Sequence, residues 1–302
     1  MAGAILLLRA RTALHAGAGT AIGPVDLPIQ REVHTKWPMI QGSGIKGVMR
    51  DVARRSVNSA DPVSADNDPD INAVFGPAVG GDGGFAGALT VTDAQILAFP
   101  VRSLKGVYAL LTCDSAIRRF ADNCALAGVD TPWFDGNAGI PGCECPEALF
   151  FDQQEQQVAV LEDMTVELDG NPGQALAAEL NKLLSPVGVQ LPTHLLIVGD
   201  EVFNFAVQYR TQVVTRNRLD PTTKTVASGA LFSVEALPPE TIMYSALLAD
   251  QPFSTRSEIG DAGSVMSKAA EWAHRRLMQF GGDATTGKGL CSSYMLRGGT
   301  QQ

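Results

Sequence analysis

Two glycine-rich segments combine exposed backbone amides with cationic side chains, which is the chemistry of an anion site. The first is Gly42-Ser43-Gly44-Ile45-Lys46-Gly47, in which Ser43 is a plausible N-cap of the helix that follows. In this helix Lys46, Arg50 and Arg54 recur every four residues, which places three cations on one face beside the positive end of the helix dipole. The pattern predicts phosphate binding, although a solvated basic face is the common alternative.

The second segment is Gly281-Gly282-Asp283-Ala284-Thr285-Thr286-Gly287-Lys288-Gly289. It is not a P-loop, because Gly289 stands where the magnesium-binding hydroxyl should be and the preceding residues are predicted to be helical. The first segment formally matches G-x-G-x-x-G, but Pro38 precedes it, and the region about twenty residues further on is the predicted Asp61–Asp70 loop instead of a strand that ends in an acidic residue. Nucleotide hydrolysis and dinucleotide binding are therefore rejected. The backbone amides of both segments remain able to hold an anion.

A polar segment over residues 208–232 has the features of a protruding β-hairpin. Its centre, Asp220-Pro221-Thr222-Thr223-Lys224, is a turn signal flanked by extended runs. The segment carries four cations: Arg210, Arg216, Arg218 and Lys224. We expect an exposed, basic arm on which little of the core depends.

The elements that position these segments follow from the hydrophobic periodicity. Beyond the helix that begins at Gly42, we predict strands over residues 4–15, 89–101, 106–113, 193–207, 231–235, 242–248 and 290–297, and helices over 114–127, 174–184 and 262–279. Asp61–Asp70 and Gly76–Gly87 are predicted to be mobile loops. The order does not follow a regular βαβ rhythm, which favours an α+β fold with an antiparallel sheet and helices on one face.

Composition limits the function classes. The 302 residues are 45% hydrophobic, enough for a sizeable core, and no stretch has the length of a membrane span or the features of a signal peptide. The five cysteines are irregularly spaced, which favours a reducing cytoplasm, and Cys143 and Cys145 are interpreted as two loop thiols rather than zinc ligands. The net charge of −9 argues against nucleic acid unless the positive charge is concentrated in a patch.

Several segments, in one order along nearly the whole chain, resemble a known family. They are residues 26–32 with 42–47, then 99–107, then 217–220 leading to 229–232, and finally 280–289. Together they resemble the fourth subunits of type III-B CRISPR (Cmr) RNA-targeting complexes, which are RAMP-superfamily backbone proteins. The resemblance implies one RRM-like core over residues 1–302. It also implies a catalytic loop at 19–42 and a thumb hairpin at 208–232. Composition and periodicity add two further insertions, mobile loops at 58–87 and a helical and loop subdomain at 114–190, and the stretch 114–173 matches no segment of the family.

The same resemblance implies a function. Copies of such a subunit stack head to tail along a CRISPR guide RNA with other Cmr subunits, and they cut single-stranded target RNA at regular intervals with a divalent metal, Mg²⁺ or Mn²⁺. Asp26 matches the catalytic, metal-holding aspartate and Lys46 a guide-contacting lysine. The predicted RNA contacts are Ser43, Gly44, Lys46, Arg50, Arg54, Arg216, Arg218, Gly281, Gly282 and Lys288. With 6% aromatic residues and no RNP-type motif, binding through the RNA backbone and shape is expected.

Cleavage is expected to use the RNA's own 2′-OH, with the hairpin distorting the backbone toward in-line geometry. From the residues alone Asp26 is a turn aspartate, and only the resemblance makes it a metal ligand or a base. His15 either assists or is structural, and Asp283 is interpreted as a turn residue. A silent guide-binding scaffold and a metal-free precursor-RNA endonuclease with a catalytic histidine stay open, and metal dependence of cleavage separates the three.

Overall fold

The computed structural model describes residues 1–20, 23–58, 60–77, 84–131, 134, 150–153, 156–167, 180, 182–187, 195–220, 222–226, 231–253 and 257–298. The thiols of Cys143 and Cys145 lie outside these residues, as does most of the helix predicted over 174–184. Within the described residues, no helix is long and apolar enough to span a bilayer.

The described residues contain fourteen strands and five α-helices of 7 or more residues. The strands are β1 Ala2–Ala10, β2 Met39–Ile40, β3 Leu89–Val91, β4 Ala94–Arg102, β5 Tyr108–Cys113, β6 Phe150–Gln153, β7 Gln156–Leu161, β8 Met164–Glu167, β9 Leu195–Val198, β10 Gln212–Arg216, β11 Phe232–Ala236, β12 Ile242–Ala249, β13 Leu277–Gln279 and β14 Leu290–Arg297. The helices are α1 Gly42–Val57, α2 Pro69–Phe75, α3 Asp114–Leu126, α4 Asp200–Tyr209 and α5 Ala262–Ala273.

One large sheet runs in the order β13-β14-β1-β12-β4-β5-β9, with β2 added to β4 and β3 to β12. Every pairing is antiparallel except β5 with β9. This arrangement confirms the predicted α+β class. The helices cover both faces rather than one: α1 and α5 pack over Leu6 and Leu8, whereas α3 packs over Ile5 and Leu7. The reason is visible in β1, whose apolar run is buried on both sides of the sheet.

Three predicted strands have different bounds because local signals interrupt them. The first strand ends at Ala10, and residues 11–15 continue as irregular chain that bridges Leu14 to Leu237. The segment 89–101 is two strands separated at Thr92 and Asp93. Residues 193–207 are not one strand, because Asp200 and Glu201 begin a helix directly after β9, and carboxylates favour a helix N-terminus.

The last helix is shorter than its periodicity predicts. It ends at Ala273, and Arg275 turns the chain with a φ of 54°, after which Leu277–Gln279 form the edge strand β13. The helix prediction over 274–279 is therefore wrong, since burial alternates there as along a strand, with Met278 and Phe280 buried and Leu277 exposed. Trp272 remains in the core as expected, stacked 5.6 Å from Phe75.

The insertion at 58–87 is also more regular than predicted. Residues Pro62–Asn67 form a 3₁₀ helix and Pro69–Phe75 form α2, in which Ile71 and Val74 are buried. The Asp side chains that precede each proline accept the first free amides, so the Asp-Pro pairs are helix starts rather than loop residues. In the insertion at 114–190, α3 packs on the central sheet, and β6, β7 and β8 form a separate three-stranded antiparallel sheet.

The predicted hairpin is present. Strand β10 pairs antiparallel with β11, with Gln212 opposite Ala236 and Arg216 opposite Phe232, and Leu219 bridges Val226 beyond them. Its base therefore reaches Ala236, four residues past the predicted boundary at 232.

Candidate functional site

A cavity of about 380 Å³ lies where three segments of the chain meet. They are the residues after β1, His15 to Gly17; the start of α1, through Ser43 and Gly44; and the glycine loop, through Gly281 and Gly282. Gln30, Ile40, Gln41 and Phe280 complete its walls. The fold thus brings together four of the predicted RNA contacts, two from each glycine-rich segment.

Close backbone approach explains the glycines. Gly281 has a φ of 74°, and a Cβ there would lie 2.1 Å from the carbonyl oxygen of His15. The amide of the next residue, Gly282, donates to that same carbonyl at 2.9 Å. A side chain at 281 would push the loop away from His15 and open the cavity.

The start of α1 is held by residues other than the one predicted. Gln41, not Ser43, occupies the N-cap position, and it makes no side-chain cap. The Gly42 amide donates instead to Asp93 Oδ1 at 2.7 Å, and the Gln41 amide donates to Gln30 Oε1 at 2.9 Å. Ser43 lies in the first turn and lines the cavity, so the positive end of the helix dipole faces it.

The cationic row on α1 points away from this cavity. Lys46 Nζ donates to the Leu89 carbonyl at 2.8 Å, and Arg50 Nη1 donates to the Gly76 carbonyl at 2.9 Å. Arg50 and Arg54 share one carboxylate, Asp66. Burial and then the charge of Arg50 lower the pKa of Lys46. These contacts hold the chain at Asp66, Gly76 and Leu89 against α1, and the RNA contacts of the three cations stay predictions.

Asp26 lies exposed at the base of the hairpin. The backbone amide of Ser233 donates to Asp26 Oδ2 at 2.7 Å and the Ser233 hydroxyl at 2.8 Å. These two donors lower the pKa of the Asp26 carboxyl, although a little burial opposes them. The following residue, Leu27, forms a parallel bridge with Val234. The loop that carries Asp26 is therefore fixed against β11 rather than free.

A buried carboxylate, Glu235, joins this loop to the hairpin. Its side chain accepts from Arg31 Nη2 at 2.6 Å, from Thr211 Oγ1 at 2.7 Å and from the Ile29 amide at 3.0 Å. Its backbone carbonyl lies 2.6 Å from His15 Nδ1. Our reading of the sequence missed Glu235. The available signal was a single acidic residue between Val234 and Ala236 in an otherwise apolar stretch of strand.

His15 has a fixed orientation. Because a carbonyl oxygen only accepts, the hydrogen bond to Glu235 places the proton of the neutral ring on Nδ1. The other nitrogen, Nε2, is then an acceptor, and the residue lines the cavity. His15 therefore has a structural role, one of the two that the sequence left open, in its bond to Glu235. Its ring also lines the cavity that would hold an anion.

The end of β10 is tied to the glycine loop by charge. Arg216 Nη1 lies 2.8 Å from Asp283 Oδ2, and Lys288 Nζ lies 3.5 Å from the same oxygen. Burial disfavours the charged form of Asp283, but the bonds and charges of Arg216 and Lys288 outweigh it, so its pKa is lowered. Asp283 is a turn residue, as predicted, with a φ of 63°. Arg218 is exposed beyond this contact and has no ion pair among the residues that the structure describes.

The acidic groups offer few ligands for a metal. In the described part of the chain, no three His, Cys, Asp or Glu side chains come together in a way that could hold an ion. Asp26 can supply one exposed carboxylate. Mg²⁺ is commonly bound by one or two carboxylates together with substrate phosphates and water, so a single ligand fits an ion that arrives with RNA.

Comparison with known proteins gives consistent matches. A family model described as the RAMP superfamily matches residues 7–292. The chain is 31% identical over 283 residues to the CRISPR system Cmr endoribonuclease Cmr4 of Pyrococcus furiosus, covering 92% of this chain and 90% of that protein. It is 24% identical over 307 residues to the CRISPR system CMR subunit Cmr4 of Saccharolobus solfataricus, covering 94% and 93%.

Solved structures agree. Oligomeric Cmr4 from Pyrococcus furiosus superposes with a TM-score of 0.73 at 26% identity, covering 99% of this chain and 100% of that one. A chain of the type III-B Cmr-beta complex bound to cognate target RNA superposes with a TM-score of 0.72 at 22% identity, covering 98% of both chains, and at that identity it shows the fold alone.

Proposed function

Because this chain belongs to the RAMP superfamily and, within it, to the Cmr4 family of type III-B CRISPR complexes, we propose that it is a guide-RNA-binding backbone subunit that also cuts target RNA. One observation carries this proposal. The loop of Asp26, the ring of His15 and the base of the hairpin are all bonded to strand β11, at Ser233 and Glu235. An exposed carboxylate is thus fixed relative to both a glycine-lined cavity and a basic arm.

The cavity supports the guide-binding part. Its walls include two close-packed glycines, a serine and a helix N-terminus, which present amides and a hydroxyl rather than base-shaped recesses. Such a surface holds a phosphate without reading sequence. A subunit that must accept any guide needs this kind of contact.

The cleavage part rests on Asp26. We infer that a ribose 2′-OH of the target attacks the adjacent phosphorus while the 5′-oxygen of the next nucleotide leaves, which gives a 2′,3′-cyclic phosphate and a free 5′-OH. A carboxyl whose pKa is already lowered is a weak base near neutral pH, so the Ser233 contacts favour a charge-holding role for Asp26 over proton abstraction. The hairpin would distort the target backbone toward in-line geometry.

A divalent cation, Mg²⁺ or Mn²⁺, held by Asp26 and the RNA would neutralise charge on the scissile phosphate. Asp26 is exposed and ionised, which suits this task. Because its pKa is lowered, the Asp26 carboxylate stays ionised, and so able to bind a cation, over the whole physiological pH range.

A second mechanism is favoured by the orientation of His15. With Nδ1 bonded to Glu235, Nε2 can accept a proton at the cavity, as a metal-free endonuclease requires. The two mechanisms differ in metal dependence. Association with further copies of itself is supported by the relative that was crystallised as an oligomer, and association with other Cmr subunits by the relative named as a subunit of the CMR system.

The test is cleavage by the assembled complex with a labelled target RNA matched to the guide. Regularly spaced cuts that stop on adding a chelator and return with Mg²⁺ or Mn²⁺ support the metal-assisted nuclease. Cuts that persist in chelator and vanish in His15→Ala support the metal-free route. Guide and target binding without any cuts would leave a silent scaffold and overturn the proposal.

A further inference from the structure

An arginine cluster lies at the opposite end of β13 from the cavity. Arg275 and Arg276 form the turn between α5 and β13, and Arg297 ends β14. All three side chains are exposed. His274 and Tyr294 pack between them, with their ring centroids 4.5 Å apart.

None of the three arginines is neutralised by a carboxylate within the described residues. Arg276 donates to the Glu271 carbonyl at 3.2 Å, Arg297 donates to the Met266 carbonyl at 3.5 Å, and Arg275 lies 5.7 Å from the Tyr294 ring centroid. Most other arginines are engaged in ion pairs: Arg9, Arg31, Arg50, Arg54, Arg55, Arg118, Arg119, Arg210 and Arg216. In a chain of net charge −9, this cluster is a concentration of unneutralised positive charge.

Arg275 lies in a strained turn. Its φ of 54° is in the left-handed region, where a β-carbon is strained and glycine is relaxed. Glycine would satisfy the turn, because the turn requires only this backbone angle. Arg275 therefore keeps its side chain beside Arg276 at some cost in backbone strain.

The cluster is continuous with the cavity. Three residues of β13 lead from Arg276 to Phe280 and Gly281, which line the cavity. Over five residues at about 3.3 Å each, the path along the sheet edge is roughly 16 Å. A nucleic-acid backbone held at the glycine loop can therefore reach the arginines without leaving the surface of this subunit.

We propose that Arg275, Arg276 and Arg297 form a second phosphate-contact surface, which carries the RNA bound at the glycine cavity onward along the β13–β14 edge. This inference rests on the proposed RNA-binding function and deepens it. The contacts are to the RNA backbone, because the Tyr294 ring already packs against His274 and Arg275 and is not open to a base. The planar guanidinium of arginine can donate two parallel hydrogen bonds to a phosphate, and here no carboxylate of the described residues competes for them.

An acidic protein surface is the other class of partner for exposed arginines. Within the described stretch 274–298, which carries the cluster, the one large exposed apolar side chain is Leu277, which is 62% exposed. Stable protein interfaces have an apolar, well-packed centre, and one leucine does not provide it. The surface therefore fits a polyanion better than a protein.

The test uses the full-length protein and fluorescently labelled single-stranded RNAs of unrelated sequence, titrated over a range of salt concentrations. Replacing all three arginines by Gln should weaken binding about tenfold, equally for every sequence, and should flatten the log–log salt dependence by about 2, since each phosphate contact contributes about 0.7. Two controls should bind as the wild type does. They are Arg55→Gln, whose partner is Asp51, and Arg102→Gln, an exposed arginine on β4.

A single substitution separates binding from folding. Arg275→Gly removes one cation and relaxes the left-handed turn, so thermal stability should hold or rise while the salt slope falls by about 0.7. Light scattering on the same samples reports self-association. Unchanged RNA affinity and slope in the triple variant would overturn the proposal, and so would lost self-association with intact RNA binding, which would make the edge a protein contact. Absence of RNA binding by the wild-type protein would overturn the proposed function as well.

Discussion

Glu235 offers the sharpest test of how the site is positioned. In Glu235→Gln the side chain keeps its size but loses its charge and one acceptor. Its two oxygens are divided between donors, with Arg31 and Thr211 on Oε1 and the Ile29 amide on Oε2. If the new NH₂ replaces Oε2, it faces the Ile29 N–H, so two donors meet and neither is satisfied.

The magnitude follows from these bonds. An unsatisfied buried amide costs about 1–3 kcal/mol, and the Arg31 bond loses about half of its strength when its acceptor is neutral. Arg31 still donates to the carbonyls of Lys36 and Val207, which limits the loss. We expect the free energy of unfolding to fall by about 3 kcal/mol. Because Ile29 and Arg31 continue from the loop of Asp26, the cleavage rate should fall about tenfold to a hundredfold at temperatures where the variant is folded.

The assay pairs urea unfolding with single-turnover cleavage at equal guide occupancy. Glu240→Gln is the control: Glu240 also pairs with an arginine, Arg9, but its side chain is partly rather than fully buried, and its bond to Arg9 does not involve the loop of Asp26. It should lose stability and keep cleavage. If Glu235→Gln unfolds more easily but cuts normally, or if both variants lose cleavage equally, the positioning role is wrong.

Three further predictions follow from the contacts of the site. Removing the hydroxyl in Ser233→Ala should raise the pKa of Asp26 toward its usual value, so cleavage should be lost at a higher pH on acidification. Ser115→Ala, which removes an equivalent serine bond to Asp200, should leave the profile unchanged, and an unshifted Ser233→Ala profile would contradict the assignment. The pKa of His274 is lowered by burial and by Arg275 and Arg297, so its unfolded form takes up a proton first as the pH falls below about 6.5, and acid should destabilise the fold. His274→Asn should remove that part of the pH dependence of urea unfolding, and an unchanged dependence would refute the linkage. Shortening the hairpin beyond Arg216 and Phe232 should spare assembly in gel filtration but abolish cutting, whereas normal, regularly spaced cuts would exclude a wedge.

Local patterns predicted much of this fold. The hairpin, the helix that starts at Gly42 and the strand Leu290–Arg297 are all set by signals within a few residues, namely a turn motif, a glycine turn and an apolar alternation. In the segments where the predicted and observed elements differ, two local sequence signals favour different secondary structures. Residues 195–209 are apolar enough for a strand throughout, but the acidic pair at 200 and 201 begins a helix, and residues 274–279 switch from helix to strand at one left-handed residue.

The site was predictable only in part, because its central bonds join residues far apart in sequence. The two glycine-rich segments were found by their composition, and their meeting in one cavity depends on how β1 and β14 pair. Nothing local to Asp26 indicates Ser233, and nothing local to His15 indicates Glu235, since these contacts span more than two hundred residues. The ion pairs of Arg50 and Arg54 with Asp66 were not predicted either, because Asp66 lies in the segment that was expected to be a mobile loop.

The most direct test of the central claim is target cleavage by a complex assembled with Asp26→Asn. The amide keeps the size of the side chain and an acceptor for Ser233, so guide and target binding should stay within about twofold of the wild type, while the rate of cutting should fall about a hundredfold or more. Asp261→Asn is the control, because Asp261 is likewise an exposed aspartate whose pKa is lowered by a serine, Ser264. Regular cuts at the wild-type rate from the Asp26→Asn complex would contradict the account.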